Sequence, residues 1–169
     1  MPLNLELKIC LENSSSVKEK IKLINAEYKG ELNQVDVYYG YKNGLLKLRI
    51  ENGSQTLIKY NRNEKAGSRW SDYHLISLEK NDAREYLNDI LEIETVVEKK
   101  RHLYLYDNTR IHLDEVNGLG SFLELETLAI NGKDDAGRRF SHIIRVLELN
   151  TEHEIRKSYR DLMLEKDSK

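Results

Sequence analysis

The chain opens on an alternation that only one kind of backbone can use. From Leu3 to Leu11 every odd position is apolar (Leu3, Leu5, Leu7, Ile9, Leu11), while the even positions are Asn4, Glu6, Lys8 and Cys10. A period of two belongs to a β-strand with one apolar and one polar face; a helix cannot separate side chains this way. The same period returns with Leu46, Leu48 and Ile50 against Lys47, Arg49 and Glu51, and with Val35, Val37 and Tyr39 against Gln34, Asp36 and Tyr38. Asn43-Gly44 and Asn52-Gly53 supply the turns of hairpins on either side of the strand 45–51. Further strands are predicted over 33–41, 55–62, 71–78, 96–106, 109–114 and 121–129. Helices fill some of the gaps. One follows the capping residues 13–16, and one runs from an Asp82-x-x-Glu85 capping box to Leu91 with Tyr86, Leu87, Ile90 and Leu91 inward. Another carries Phe140, Ile143, Ile144 and Leu147, and a last turn covers 159–164. The polar stretch 63–68 reads as a loop.

Nothing divides this pattern. The sole proline is Pro2, there are no repeats or low-complexity tracts, and 169 residues suit one domain spanning 1–169. The 27 basic and 29 acidic residues nearly cancel, so no basic field is available to hold nucleic acid. No apolar run is long enough for a membrane helix. The N-terminal segment lacks the apolar core of a secretory signal, and a single cysteine makes neither an internal disulfide nor a zinc site. A cytoplasmic protein is the expectation. Cys10 is expected to be a small buried thiol.

The polar faces are ordered by residue type. Glu6 and Lys8 lie two apart, as do Lys47 and Arg49, Lys99 and Arg101, and Glu124 and Glu126; Arg110, His112 and Asp114 share another face. Residues i and i+2 of a strand project together. Two architectures accommodate this: an open sheet whose charged face is solvated, or a sheet closed into a barrel with a polar interior and helices covering its apolar exterior. The helices between strands favour the second, because their apolar stripes need a sheet face to cover. An eight-stranded barrel leaves room for one small ligand. The predicted fold class is therefore α+β, a closed antiparallel eight-stranded β-barrel.

Seven ordered segments also carry a resemblance. They are Asn4-Leu-Glu6-Leu-Lys8; Gln34-x-Asp36-x-Tyr38; Leu46-Lys47-Leu-Arg49; Glu98-Lys99-Lys-Arg101; Arg110-Ile-His112-Leu-Asp114; Gly118-Leu-Gly120-x-Phe122-x-Glu124-x-Glu126; and Ser158-Tyr159-x-Asp161-Leu162. Together they resemble the CYTH superfamily, the triphosphate tunnel enzymes, over nearly the whole chain. The Gly-Leu-Gly-x-Phe element leans towards the CyaB-like class IV adenylyl cyclase branch. One position departs: Asn4 stands where the E-x-E-x-K opening has its first glutamate, so the residue offers a neutral oxygen without charge.

The resemblance implies site residues. Lys47, Arg49, Arg62, Lys99, Arg101 and Arg110 would bind phosphate oxygens, Arg by bidentate contacts and Lys as a point charge. Lys59, on the opposite face of its strand, competes with Arg62. Glu6, Asp114, Glu124 and Glu126 would hold Mg2+ or Mn2+, hard ions that prefer oxygen ligands. Lys8, Arg49 and Asp114 are the implied catalytic residues. His112 is read as a hydrogen-bonding wall residue, and the C-terminal Lys-Ser-Tyr-Arg stretch as a plug at one barrel end, from which Arg160 can reach phosphate. The implied partner is a triphosphate-containing small molecule, ATP or tripolyphosphate, with no nucleic acid or membrane, and cyclase-like relatives suggest a homodimer. Three functions compete: cyclisation of ATP, hydrolysis of a triphosphate, and non-catalytic nucleotide or polyphosphate binding.

Overall fold

The structure, a computed structural model, describes residues 3–62, 67–79 and 82–169, with Arg62 described by its backbone only. Its elements run β1 (Leu3–Leu11), α1 (Ser14–Leu23), β2 (Glu27–Tyr39), β3 (Leu45–Glu51), β4 (Ser54–Arg62), β5 (Trp70–Leu78), α2 (Ala83–Ile90), β6 (Ile93–Tyr106), β7 (Thr109–Val116), β8 (Gly120–Leu128), α3 (Lys133–Val146) and α4 (Tyr159–Asp167), with a short 3-10 turn at Thr151–His153. The strands close into one antiparallel barrel in the order β1-β5-β4-β3-β2-β6-β7-β8. Its shortest seam joins β1 to β5, where only Leu3, Asn4 and Leu5 find partners in Asp72, Ser71 and Trp70. None of the described helices is long and apolar enough to cross a membrane.

Alternation decides which way each side chain points. Leu7 and Ile9 of β1, Ile111 and Leu113 of β7, and Leu123 and Leu125 of β8 face outward. They pack under Val17 and Ile21 of α1 and Ile143 of α3, with Leu147 just beyond that helix. Burying side chains of this size stabilises by roughly 1.5–3 kcal/mol each, which is how a barrel with a charged interior obtains a core. It lies outside the barrel wall, between sheet and helix. Asn13 caps α1 by accepting from the Ser15 amide. Ser158 and Asp161 form a reciprocal capping box at α4, so the C-terminal turn predicted at 159–164 is a full helix.

Three expectations are corrected. β2 begins six residues earlier than the alternation suggested. Glu27 to Leu32 pair with β6 although they carry no apolar face, and a register shift between Tyr28 and Gly30 passes through Gly30 at φ 124, a conformation that costs glycine little. At α2 the capping box does not form, since the Asp82 side chain makes no cap bond. Leu87 and Leu91 pack on the cluster of Val37, Tyr39 and Leu48, but Tyr86 and Ile90 stay 67% and 58% exposed. A two-turn helix on a barrel wall meets it along one i, i+4 row, and the neighbouring row is left in solvent. Cys10 is exposed rather than buried, because it lies past the stretch of β1 that faces the interior. The predicted loop 63–68 falls mostly on residues outside those described.

Candidate active site

The inward face of the barrel encloses a cavity of about 310 Å³. Asn4, Glu6 and Lys8 of β1 line it, together with Lys47, Arg49 and Glu51 of β3, Lys99 and Arg101 of β6, Arg110 and His112 of β7, and Glu124 and Glu126 of β8. These are the residues whose i, i+2 spacing predicted a common face. Arg49 and Arg101, far apart in sequence, converge on one space. Arg62 belongs to β4, but its side chain lies outside the described residues. Lys59, the competitor, sits 5.7 Å from the centre of the Tyr41 ring and does not line the cavity.

Buried charges need partners, and each cation here has one. Asp36 of β2 receives Arg49 through Nε and Nη2, both at 2.8 Å, and Lys47 Nζ at 2.7 Å. Asp114 receives Arg101 through Nε at 2.7 Å and Nη2 at 2.6 Å. Lys99 Nζ stands 3.9 Å from both aspartates. Glu124 pairs with Lys8 at 3.1 Å and with Arg101 at 2.6 Å, and Glu126 pairs with Arg110 at 2.7 Å. Glu6 accepts from the Ser71 hydroxyl.

These contacts set the protonation states. Burial pushes the Asp36 carboxyl up, but Arg49, Lys47 and Lys99 hold it well below the usual carboxylate range. Burial likewise opposes ionisation of Asp114 and Glu126, yet Arg101 and Lys99 bring Asp114 down to about 2, and His112 and Arg110 bring Glu126 down to about 2. The amines go the other way. Burial and the nearby Arg49 lower Lys47 to about 7, and burial and Arg101 lower Lys99 to about 8. Burial and Arg101 lower His112 to about 4, leaving a neutral ring at pH 7.

Asp36 and Asp114 do not line the cavity. They stand behind the guanidinium groups and fix them from the rear. Asp36 lies in a motif to which the resemblance assigns no role, and Asp114 is expected among the metal ligands and catalytic residues; in the structure the Asp114 oxygens are engaged by Arg101 and by the Tyr159 hydroxyl, which donates at 2.8 Å. Tyr159 belongs to the C-terminal stretch read as a plug at one barrel end. Its ring closes the floor, 3.9 Å from Lys8 Nζ and 4.9 Å from Lys99 Nζ, and Lys8 also donates to the Lys157 carbonyl at 3.0 Å. Arg160 turns away from the cavity to Glu94. Trp70 lies in an external groove beneath Lys133.

The upper wall has a different character. Ile58 and Tyr60 of β4 pair with Leu75 and Tyr73 of β5, and Leu32 and Leu103 also line the cavity. Leu75 is exposed as well as lining, which marks the mouth. Two oxygens on the polar wall, Asn4 Oδ1 and Gln34 Oε1, are buried without a hydrogen-bond partner.

The CYTH domain pattern spans residues 3–159 of the chain. The chain belongs to the CYTH family of triphosphate tunnel enzymes. A relative from Methanocaldococcus jannaschii, named "Putative adenylate cyclase", is 25% identical over 174 residues, 95% of this chain and 98% of that one. A solved Pyrococcus horikoshii structure superposes with a TM-score of 0.83 at 24% identity, covering 94% of this chain and 98% of that one. A "Putative adenylyl cyclase" from Hippeastrum, described as having a dominant triphosphatase activity, superposes with a TM-score of 0.68 at 10% identity, covering 99% and 96%. The CYTH barrel thus accounts for the closed polar tunnel.

The carboxylates fit a divalent cation. Glu6 and Glu126 are register partners on adjacent strands, and Glu124 and Glu126 bring oxygens within 4.8 Å of the unpartnered His112 Nδ1. Charge balance adds a reason for a metal. Among the described residues, the six basic side chains Lys8, Lys47, Arg49, Lys99, Arg101 and Arg110 face the six acidic ones Glu6, Asp36, Glu51, Asp114, Glu124 and Glu126, so these twelve carry no net formal excess of positive charge. A polyphosphate entering the site needs added positive charge.

Proposed function

We propose that the tunnel binds a nucleoside triphosphate and converts it as a class IV adenylyl cyclase does, releasing a cyclic nucleotide and pyrophosphate. One observation carries this reading: the cavity joins a basic floor to an apolar, aromatic upper wall of Ile58, Tyr60, Tyr73 and Leu75. A polyphosphate alone has no use for such a wall, whereas a nucleoside buries its base there.

In this reading Lys8, Lys99 and Arg101 hold the inner phosphate oxygens and Lys47, Arg49 and Arg110 the remainder, each drawn off its carboxylate partner by the arriving anion. Asp36 and Asp114 keep Arg49 and Arg101 aimed into the tunnel, so the donors are in place before charge develops on phosphorus. The ribose 3′-hydroxyl attacks the α-phosphorus as the bond to the bridging oxygen breaks, and its proton leaves with the pyrophosphate. Tyr159 and α4 close the floor and limit competing water. Glu6, Glu124 and Glu126 would hold Mg2+ or Mn2+, which supplies charge neutralisation for the polyphosphate.

A triphosphatase acting on the same cradle is the second reading, favoured by the activity described for the Hippeastrum neighbour. Product identification separates them: incubation with ATP, or with tripolyphosphate, in Mg2+ or Mn2+. Cyclic AMP with pyrophosphate supports the cyclase, orthophosphate supports the triphosphatase, and tight binding without either product leaves a binding protein.

A further inference from the structure

We infer that His112 is a metal ligand, making the cation site at Glu124 and Glu126 a mixed nitrogen–oxygen site that selects a first-row transition ion such as Mn2+ over Mg2+. The inference rests on the proposed reading of those glutamates as metal-binding. Three observations support it.

First, the His112 side chain is buried, the residue being 4% exposed, and its Nδ1 has no hydrogen-bond partner. A buried polar atom left unpaired costs free energy, and native structures retain few of them. Second, that nitrogen faces the acidic pair. It stands 3.9 Å from a Glu126 oxygen and 4.0 Å from a Glu124 oxygen, and the three ligand atoms lie within 4.8 Å of one another. These spacings are too long for hydrogen bonds and leave room for an ion between the groups. Third, the placement follows from register: His112 and Glu124 are directly paired across β7 and β8, with Glu126 two residues on along the same face.

Selectivity follows from the donor set. Mg2+ demands oxygen ligands and sheds water reluctantly, whereas a site with imidazole ranks first-row transition ions above it. Lys8 and Arg101 on Glu124, and Arg110 on Glu126, occupy the carboxylates without ligand. A triphosphate that recruits those cations therefore opens the site to metal.

The test uses full-length untagged protein with Mn2+ alone, and with Mn2+ plus a non-hydrolysable ATP analogue. Pulsed electron paramagnetic resonance on bound Mn2+ should show nitrogen modulation, which moves to the 15N frequencies when histidine is 15N-labelled. His112→Gln should lose the modulation and raise the Mn2+ dissociation constant about tenfold or more, with Mg2+ affinity changed less than about twofold. Isotope labelling needs no substitution, so it decides the point even if His112→Gln folds poorly; loss of the modulation in Glu126→Gln then assigns it to this cluster. Bound Mn2+ that Glu126→Gln releases but that shows no nitrogen modulation would overturn the inference alone. Absence of Mn2+ binding under either condition would overturn it together with the metal reading of the glutamates.

Discussion

Arg101 and Asp114 face each other across β6 and β7 as register partners and close a two-bond ion pair, Nε to Oδ1 at 2.7 Å and Nη2 to Oδ2 at 2.6 Å. The pair is buried, and Tyr159 completes it from α4. Arg101 also reaches Glu124, so one guanidinium ties the rear of the barrel wall to the acidic pair in the cavity. Asp114 therefore stands behind the cation it holds and is not among the residues that line the cavity.

Asp114→Asn removes the charge that holds Arg101. Breaking one partner of a buried pair costs roughly 3 kcal/mol, or about 6–12 °C in melting temperature for a chain of this size. Substrate KM should rise as Arg101 loses its fixed orientation. Thermal melts and steady-state kinetics check both, and an unchanged melt would show that Tyr159 and Lys99 suffice without the carboxylate.

Glu126→Gln should lower metal-dependent turnover by at least tenfold at limiting Mg2+. The fold should survive, because the neutral amide keeps an acceptor for Arg110. Circular dichroism with a metal titration of activity is the measurement. Full turnover at low metal concentration would remove Glu126 from the ligand set.

Asn4 is 2% exposed, and its Oδ1 has no partner on the cavity wall. Asn4→Glu adds a carboxylate two residues from Glu6 on the same face, so the cation should bind more tightly and exchange more slowly. Separate calorimetric titrations with Mn2+ and with a non-hydrolysable nucleotide check this. Weaker nucleotide binding with unchanged Mn2+ affinity would instead make Asn4 a substrate contact.

The pH dependence follows from two amines. Lys47 and Lys99 titrate near 7 and 8 because burial and their cationic neighbours favour the neutral form over the ordinary 10.5. An arriving polyphosphate favours the charged form, so the complex binds more protons than the free protein. Affinity should therefore fall as pH rises from about 6.5 to 9, with proton uptake on binding. Calorimetry in buffers of different ionisation enthalpy measures that uptake; pH-independent binding without uptake would mean both amines are already charged.

Period-two alternation made the strands legible, since it depends only on which residues enter water and which do not. β1 and β3 have the bounds read from the sequence, and the pairs Lys47/Arg49, Lys99/Arg101 and Glu124/Glu126 share a cavity because i and i+2 must point alike. The first half of β2 is not legible because Glu27 to Leu32 show no apolar alternation; they pair with β6 through the backbone and through polar and ring contacts such as Tyr28 with His102 and Tyr104. The exposed row of α2 escaped because an amphipathic pattern does not say how much of a short helix a wall will cover.

What the sequence by itself determined is which side chains share a face of each strand, and so which charged residues project together. What only the tertiary structure decided is who partners whom. That Asp36 and Asp114 stand behind the arginines, that Tyr159 floors the tunnel from a distant helix, and that His112 turns an unpaired nitrogen towards Glu124 and Glu126 all depend on register between strands. The physical reason is range. Alternation is a property of neighbouring residues, whereas ion pairing across a barrel is fixed only when the sheet closes and brings distant strands within a few ångströms.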